Sequence, residues 1–290
     1  MRWSDRVFRR VSLPEGGWPA QRILITGASG GIGQALVDEL TAAGARLLIT
    51  GRRDEALEAL VARHPGQVTA MTADLTRAED RNRLVMASRE AGCNMLVNAA
   101  GVNRVGLFES CSDEEIEALV TLNLTATLQL TRALLPQLLA AEHGWVVNLG
   151  STFGTIGYPG QVGYCATKFA LRGFSQALRR ELADTRVRVL HVSPRATRTA
   201  MNAPEVEAMN QALGNAMDTP ARVASAVRRA IEHGREETQL GGPEQLFTRL
   251  NSLLPRLVDQ ALLRQLPVIR RFLAPAGETG PDASETRHLP

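Results

Sequence analysis

The sequence predicts an α/β fold: one open, doubly wound parallel sheet of about seven strands with helices on both faces, followed by a C-terminal helical extension. Three observations predict it. Short apolar runs such as Ile23-Leu24-Ile25 lack polar alternation, as strands covered on both faces require. Such runs alternate with amphipathic helical segments, without internal repeat, along 290 residues. The first run also passes through clustered glycines directly into a helical pattern.

The first strand is read at 22–26. Gly27, Gly30, Gly31 and Gly33 follow it, and Ile32, Leu36, Val37 and Leu40 then recur at helical spacing. Strand, glycine turn and helix in that order form a dinucleotide cradle. The glycines let the backbone approach a pyrophosphate, and the helix N-terminus offers it unpaired N–H groups. The second strand, 46–50, ends in Gly51-Arg52-Arg53. An acidic residue there binds a ribose 2′-hydroxyl, whereas an arginine accommodates a 2′-phosphate. An uncharged glycine followed by two guanidiniums favours NADP(H) over NAD(H), with Arg52 as the phosphate ligand.

The third strand, 67–73, leads to Asp74-Leu75, and the fourth, 94–98, closes on Asn98. Ser112 with Glu115 makes a capping box for the helix carrying Asn123, and Pro136 is expected to end or kink that helix. The fifth strand, 144–150, delivers Ser151. Next comes a helix start holding Tyr164 and Lys168, which share a face at i, i+4. Lowering a phenol's pKa from about 10 by about 3 units takes roughly 4 kcal/mol. A cation about 4 Å away at an effective dielectric near 20 supplies about that much. The pair is therefore expected to form a proton donor or acceptor usable near neutral pH. The sixth and seventh strands are read at 186–192 and 236–240.

Together these motifs resemble the short-chain dehydrogenase/reductase family over about residues 21–240. Thr26-Gly27-Ala28-Ser29-Gly30-Gly31-Ile32-Gly33 is similar to its TGxxxGxG loop, Asn98-Ala99-Ala100-Gly101 to its NNAG element, and Tyr164 to Lys168 to its YxxxK pair. Ser151 stands 13 residues before Tyr164, the family's usual interval. The resemblance implies a Rossmann-type sheet ordered 3-2-1-4-5-6-7. It implies cofactor contacts from Gly27, Ser29, Gly31, Ile32, Gly33, Asp74, Leu75, Asn98, Tyr164, Lys168, Thr197 and Thr199. It implies hydride transfer between NADPH and a carbonyl carbon, with Tyr164 supplying the proton and Ser151 holding the same oxygen. Lys168 would lower the tyrosine's pKa and bind the nicotinamide ribose, and Asn123 would steady a water linking Lys168 to solvent. One departure stands out: where the family has Pro-Gly after the sixth strand, this chain reads Pro194-Arg195. Arg195 is read as a bland substitution, with a cation aimed at substrate as the alternative.

Composition excludes several other classes. With 33 Lys+Arg against 30 Asp+Glu and no basic run, nucleic-acid binding has little support. Cys93, Cys111 and Cys165 have no CxxC spacing, and the five histidines are scattered, so neither a disulfide framework nor a metal site is implied. Cys165 beside the tyrosine is read as packing. No apolar segment of about 18 residues is expected to span a membrane.

The expected organisation is an N-terminal arm at 1–20, the catalytic domain at 21–240, an amphipathic extension at 241–274 and a disordered tail at 275–290. In the extension, leucines alternate with Arg249, Arg256, Arg264, Arg270 and Arg271, and Pro255 and Pro267 are expected to break it into short helices. A lid or packing role is preferred to peripheral membrane contact. The pocket wall is expected to hold Phe153, Ile156, Tyr158, Pro159 and Val162, with Phe153 and Tyr158 joining Ser151 and Tyr164 at the substrate. The function read from all this is reversible reduction of a lipophilic carbonyl to a secondary alcohol by a cytoplasmic homo-oligomer. The alternatives are a 3-ketoacyl thioester reductase and a non-catalytic NADP-binding regulator.

Overall fold

A computed structural model gives the architecture for residue 13 and residues 16–273. Most of the expected arm and all of the expected tail lie outside these described residues. Seven parallel strands form one sheet: β1 (Arg22–Thr26), β2 (Arg46–Gly51), β3 (Val68–Thr72), β4 (Met95–Asn98), β5 (Gly144–Leu149), β6 (Val187–Ser193) and β7 (Glu237–Gln239). Their order is β3-β2-β1-β4-β5-β6-β7, as expected. Strand β1 shows why the apolar runs do not alternate with polar residues. Ile23 and Ile25 enter the core layer that includes Val37 and Val227, while Leu24 enters the opposite layer with Leu130 and Val146. Each fully buried side chain of this kind contributes about 1.5–3 kcal/mol of transfer free energy.

Strands β1 and β4 pair with Thr26 opposite Asn98. From β1 the chain turns outward to β2 and β3, and from β4 it runs the other way. This reversal opens a crevice at the carboxyl ends of the strands.

The helix carrying Asn123 runs continuously from Asp113 to Ala140. The Ser112–Glu115 capping box is present. Pro136 lies inside the helix and does not end it; the helix departs from α geometry upstream, in a π-helical stretch at Thr121–Ala126. By length and composition this helix could span a membrane, with a mean hydropathy of 1.2, contrary to the expectation that no segment would qualify. Of its most apolar 18-residue window, 44% is buried inside the fold.

The extension forms two helices, Gly242–Leu253 and Pro255–Leu273. Pro255 separates them, but Pro267 sits within the second and does not break it. Val258 and Ile269 face inward, and Ile269, Leu262 and Leu273 pack with Tyr158, Val206 and Met209 beside the crevice. On the outer side Leu246, Leu253, Leu254, Leu257 and Leu263 are all more than half exposed.

Candidate active site

The crevice holds a cavity of about 480 Å³. Its floor is the glycine turn, where close approach dictates residue type. Gly27 has φ 69°, and a Cβ there would lie 2.7 Å from the Ala100 backbone; a Cβ on Gly33 would run into the Gly27 carbonyl. Ser29, Gly31, Ile32 and Thr199 complete this cradle, and a Cβ on Gly31 would meet Thr199 at 2.9 Å. A groove that glycine alone leaves open, at a helix N-terminus, fits the diphosphate of a dinucleotide. Thr197 also lines the cavity.

At the end of β2, Gly51 packs against the Ser29 hydroxyl, and a Cβ there would lie 2.6 Å from it. Arg53 donates to the Ser29 carbonyl, which leaves Arg52 as the arginine with no hydrogen-bond or ion-pair partner among the described residues. Leu75 lines the cavity but Asp74 does not: its carboxylate accepts from the Thr76 backbone at 2.9 Å and hydroxyl at 2.8 Å. The Thr76 N–H, foremost, holds that carboxyl below its usual pKa.

Asn98 also departs from expectation. It is 4% exposed, and its amide donates to Asn148 at 2.8 Å and Thr131 at 3.1 Å beneath the cavity. The following residues, Ala99 to Gly101, line the cavity in its place. Asn123 does not line the cavity either. It accepts from the Val102 N–H at 2.8 Å, and donates to the Val102 carbonyl at 2.9 Å and to Thr167 at 3.2 Å. It clamps the loop after β4 to the helix Val162–Glu181 and is a positioning residue here.

Ser151, Tyr164 and Lys168 all line the cavity. Ser151 arrives at the end of β5 and accepts from the Phe153 N–H at 3.2 Å, while its hydroxyl also hydrogen-bonds the Tyr164 phenol. The Lys168 ammonium lies 5.5 Å from the Tyr164 ring centroid and donates to the Leu149 carbonyl at 3.0 Å. The two groups converge, but the expected electrostatic outcome needs correction. Burial pushes the Tyr164 phenol up to about 12, and the Ser151 hydrogen bond only partly offsets this. Burial also pushes the Lys168 ammonium down to about 8. Burial governs both ionisations, so the amine alone does not bring the phenol into the neutral range.

The substrate side is partly as expected. Phe153 and Tyr158 line the cavity, stacked with centroids 4.8 Å apart. Ile156 is buried, Val162 is exposed, and neither they nor Pro159 line the cavity. Two contributions escaped the sequence reading. Asn103 donates to Gln161 at 3.0 Å, and both face the cavity. The helix Pro204–Ala212 brings Val206 and Met209, a helical pair that periodicity in 203–212 alone signals. Cys165 is buried, accepts from the Tyr158 N–H, and has its thiol pushed up by burial, consistent with packing.

Arg195 lines the cavity, as a cation aimed at substrate would, but its charge is engaged elsewhere. Its guanidinium pairs with Asp218 at 2.8 Å and Glu244 at 3.3 Å, fastening the loop after β6 to the base of the extension. Its charge is already matched by carboxylates of the chain.

A doubly wound sheet, a glycine cradle at its switch point and a serine–tyrosine–lysine cluster facing the same cavity define a nucleotide-binding oxidoreductase. The chain belongs to the short-chain dehydrogenase family, whose model matches residues 21–210. It is 37% identical to "Nodulation protein G" of Rhizobium sp. (strain N33), over 71% of this chain and 87% of that one. It is 32% identical to the 3-oxoacyl-(acyl-carrier-protein) reductase FabG of Haemophilus influenzae, over 68% of this chain and 82% of that one. A solved short chain dehydrogenase from Burkholderia cenocepacia J2315, in complex with NADP, superposes with a TM-score of 0.73 at 25% identity, covering 84% of this chain and 97% of the other.

Proposed function

We propose that the protein is an NADP(H)-dependent reductase that converts a lipophilic carbonyl reversibly into a secondary alcohol. The observation that carries this reading is the convergence of Ser151, Tyr164 and Lys168 on the cavity that the glycine cradle opens into. When bound, the dinucleotide supplies the hydride. Ser151 holds the carbonyl oxygen by hydrogen bond, and Tyr164 gives that oxygen its proton as negative charge develops there. A phenol pushed up to about 12 keeps its proton throughout the neutral range, which suits a donor in the reductive direction. Lys168, fixed by the Leu149 carbonyl, sets a positive charge behind the phenol.

NADP(H) over NAD(H) is supported by Gly51 and by Arg52, which has no ion-pair partner among the described residues, at the end of β2, and by the solved relative that holds NADP. A lipophilic substrate is supported by the Phe153, Tyr158, Val206 and Met209 wall, which the helix Pro255–Leu273 covers as a lid. The relatives named as 3-oxoacyl carrier-protein reductases favour a 3-ketoacyl thioester as the second reading. Tyr164→Phe tests the assignment: turnover of a ketone panel should fall by at least about 100-fold, while NADPH fluorescence still reports binding. Turnover that survives the substitution overturns the role given to Tyr164.

A further inference from the structure

The two helices of the extension, Gly242–Leu253 and Pro255–Leu273, meet at a corner where apolar side chains stand in solvent. Leu246 and Leu253 recur at i, i+7 and share the outer stripe of the first helix, and Leu254 and Leu257 continue the patch across the corner. Leu253 is 77% exposed, the most of any large apolar side chain among the described residues. Exposed leucines grouped in this way, unlike ones scattered singly, mark an interaction surface.

The charge around this patch has one sign. Residues 245–273 hold five arginines, Arg249, Arg256, Arg264, Arg270 and Arg271, against one acidic residue, Asp259. All five arginines are exposed, and none has an ion-pair partner among the described residues; the nearby Glu244 is engaged by Arg195. Arg256, Arg264 and Arg271 recur at i, i+8 and i+15 along the outward face of the second helix, while Val258 and Ile269 are buried on its inward face.

An apolar patch ringed by uncompensated arginines narrows the choice of partner. A nucleic acid answers the arginines but leaves the leucines with nothing apolar to meet. A two-fold contact with a second copy buries the leucines but sets the arginines against their own copies. A bilayer with anionic headgroups answers both: leucines reach the acyl boundary, and guanidiniums fork to lipid phosphates.

We propose that this outward face docks the protein peripherally on an anionic lipid bilayer. The inward face keeps its packing role, with Leu262, Ile269 and Leu273 against Tyr158, Val206 and Met209 beside the active-site cavity. Docking thus sets the bilayer one helix away from that cavity's wall. It is independent of which carbonyl the enzyme reduces.

Co-sedimentation of the full chain with vesicles of phosphatidylcholine alone, and of an equal mixture with phosphatidylglycerol, tests this. Partition onto the mixture is expected to be at least about tenfold stronger than onto phosphatidylcholine, and to weaken as salt screens the arginines. The variants Leu253→Ser/Leu257→Ser and Arg256→Gln/Arg264→Gln/Arg271→Gln should each lower it at least about tenfold. The altered side chains are exposed, so both variants should fold, and the comparison of lipids needs no variant at all. No partition onto the mixture, or equal partition onto both vesicles, overturns the docking. Partition retained by either variant overturns it too, the leucine case marking adsorption by charge alone. Dissociation of a solution dimer by the leucine variant, read by sedimentation velocity, would assign the face to a second copy and overturn it equally.

Discussion

The Lys168 ammonium donates to the Leu149 carbonyl at 3.0 Å, tying the helix that carries Tyr164 to the strand end that delivers Ser151. This bond orients the amine and holds it in a dry site, where its pKa falls to about 8. Two consequences of that shift run in opposite directions with pH.

Activity should depend on the charged amine. kcat/KM for carbonyl reduction is expected to be flat near pH 7 and to fall above about pH 8, while Tyr164 stays protonated. Stability behaves differently. Between about 8 and the ordinary lysine value of 10.5, the unfolded chain binds more protons than the folded one, so the contribution of Lys168 to stability rises with pH. Rate profiles and denaturant melts over pH 7–10 would separate the two. An activity loss that tracks unfolding would contradict the assignment.

Cofactor choice should rest on Arg52. Arg52→Ala is expected to weaken NADPH binding about tenfold, the low end for a charge-assisted hydrogen bond at an exposed position, and to leave NADH unchanged. Dissociation constants from nucleotide fluorescence measure this directly. An equal loss for both cofactors would point away from the 2′-phosphate.

Two glycines should respond oppositely to the same change. Gly33→Ala drives a methyl into the Gly27 carbonyl and is expected to abolish dinucleotide binding or the fold itself. Gly173 lies in the helix Val162–Glu181 with open space around its Cβ position, so Gly173→Ala should stabilise by about 0.5–1 kcal/mol. Thermal melts of the pair report both effects.

Arg195 should matter for stability. Asp218 is buried against it, so Arg195→Ala leaves a carboxylate facing only Arg222 at 3.5 Å, at an expected cost of about 3–5 kcal/mol. Arg222→Ala removes a largely exposed partner and should cost under about 1 kcal/mol. Chemical denaturation of both variants checks the contrast.

Much of this protein was legible in the chain. The strands were placed within about two residues, because a sheet covered on both faces requires unbroken apolar runs such as Ile23 to Ile25. The cradle glycines and the Ser151, Tyr164 and Lys168 set were legible because their chemistry depends on local spacing: a turn, a strand end, one face of a helix. Proline was less informative. Pro136 and Pro267 each sit inside a continuous helix, because tertiary packing overrides the local preference to break there.

By itself, the sequence determined the order of elements, the glycine cradle and the reactive residues, since each depends on neighbours close along the chain. Only the tertiary structure decided what the remaining polar groups do. Asn98 turns under the sheet to Asn148, Asn123 clamps Val102, and Arg195 reaches Asp218 and Glu244. It also decided that burial governs the Tyr164 and Lys168 ionisations. Hydrogen-bond partners and desolvation are set by which segments meet in space, and residue spacing carries no record of that.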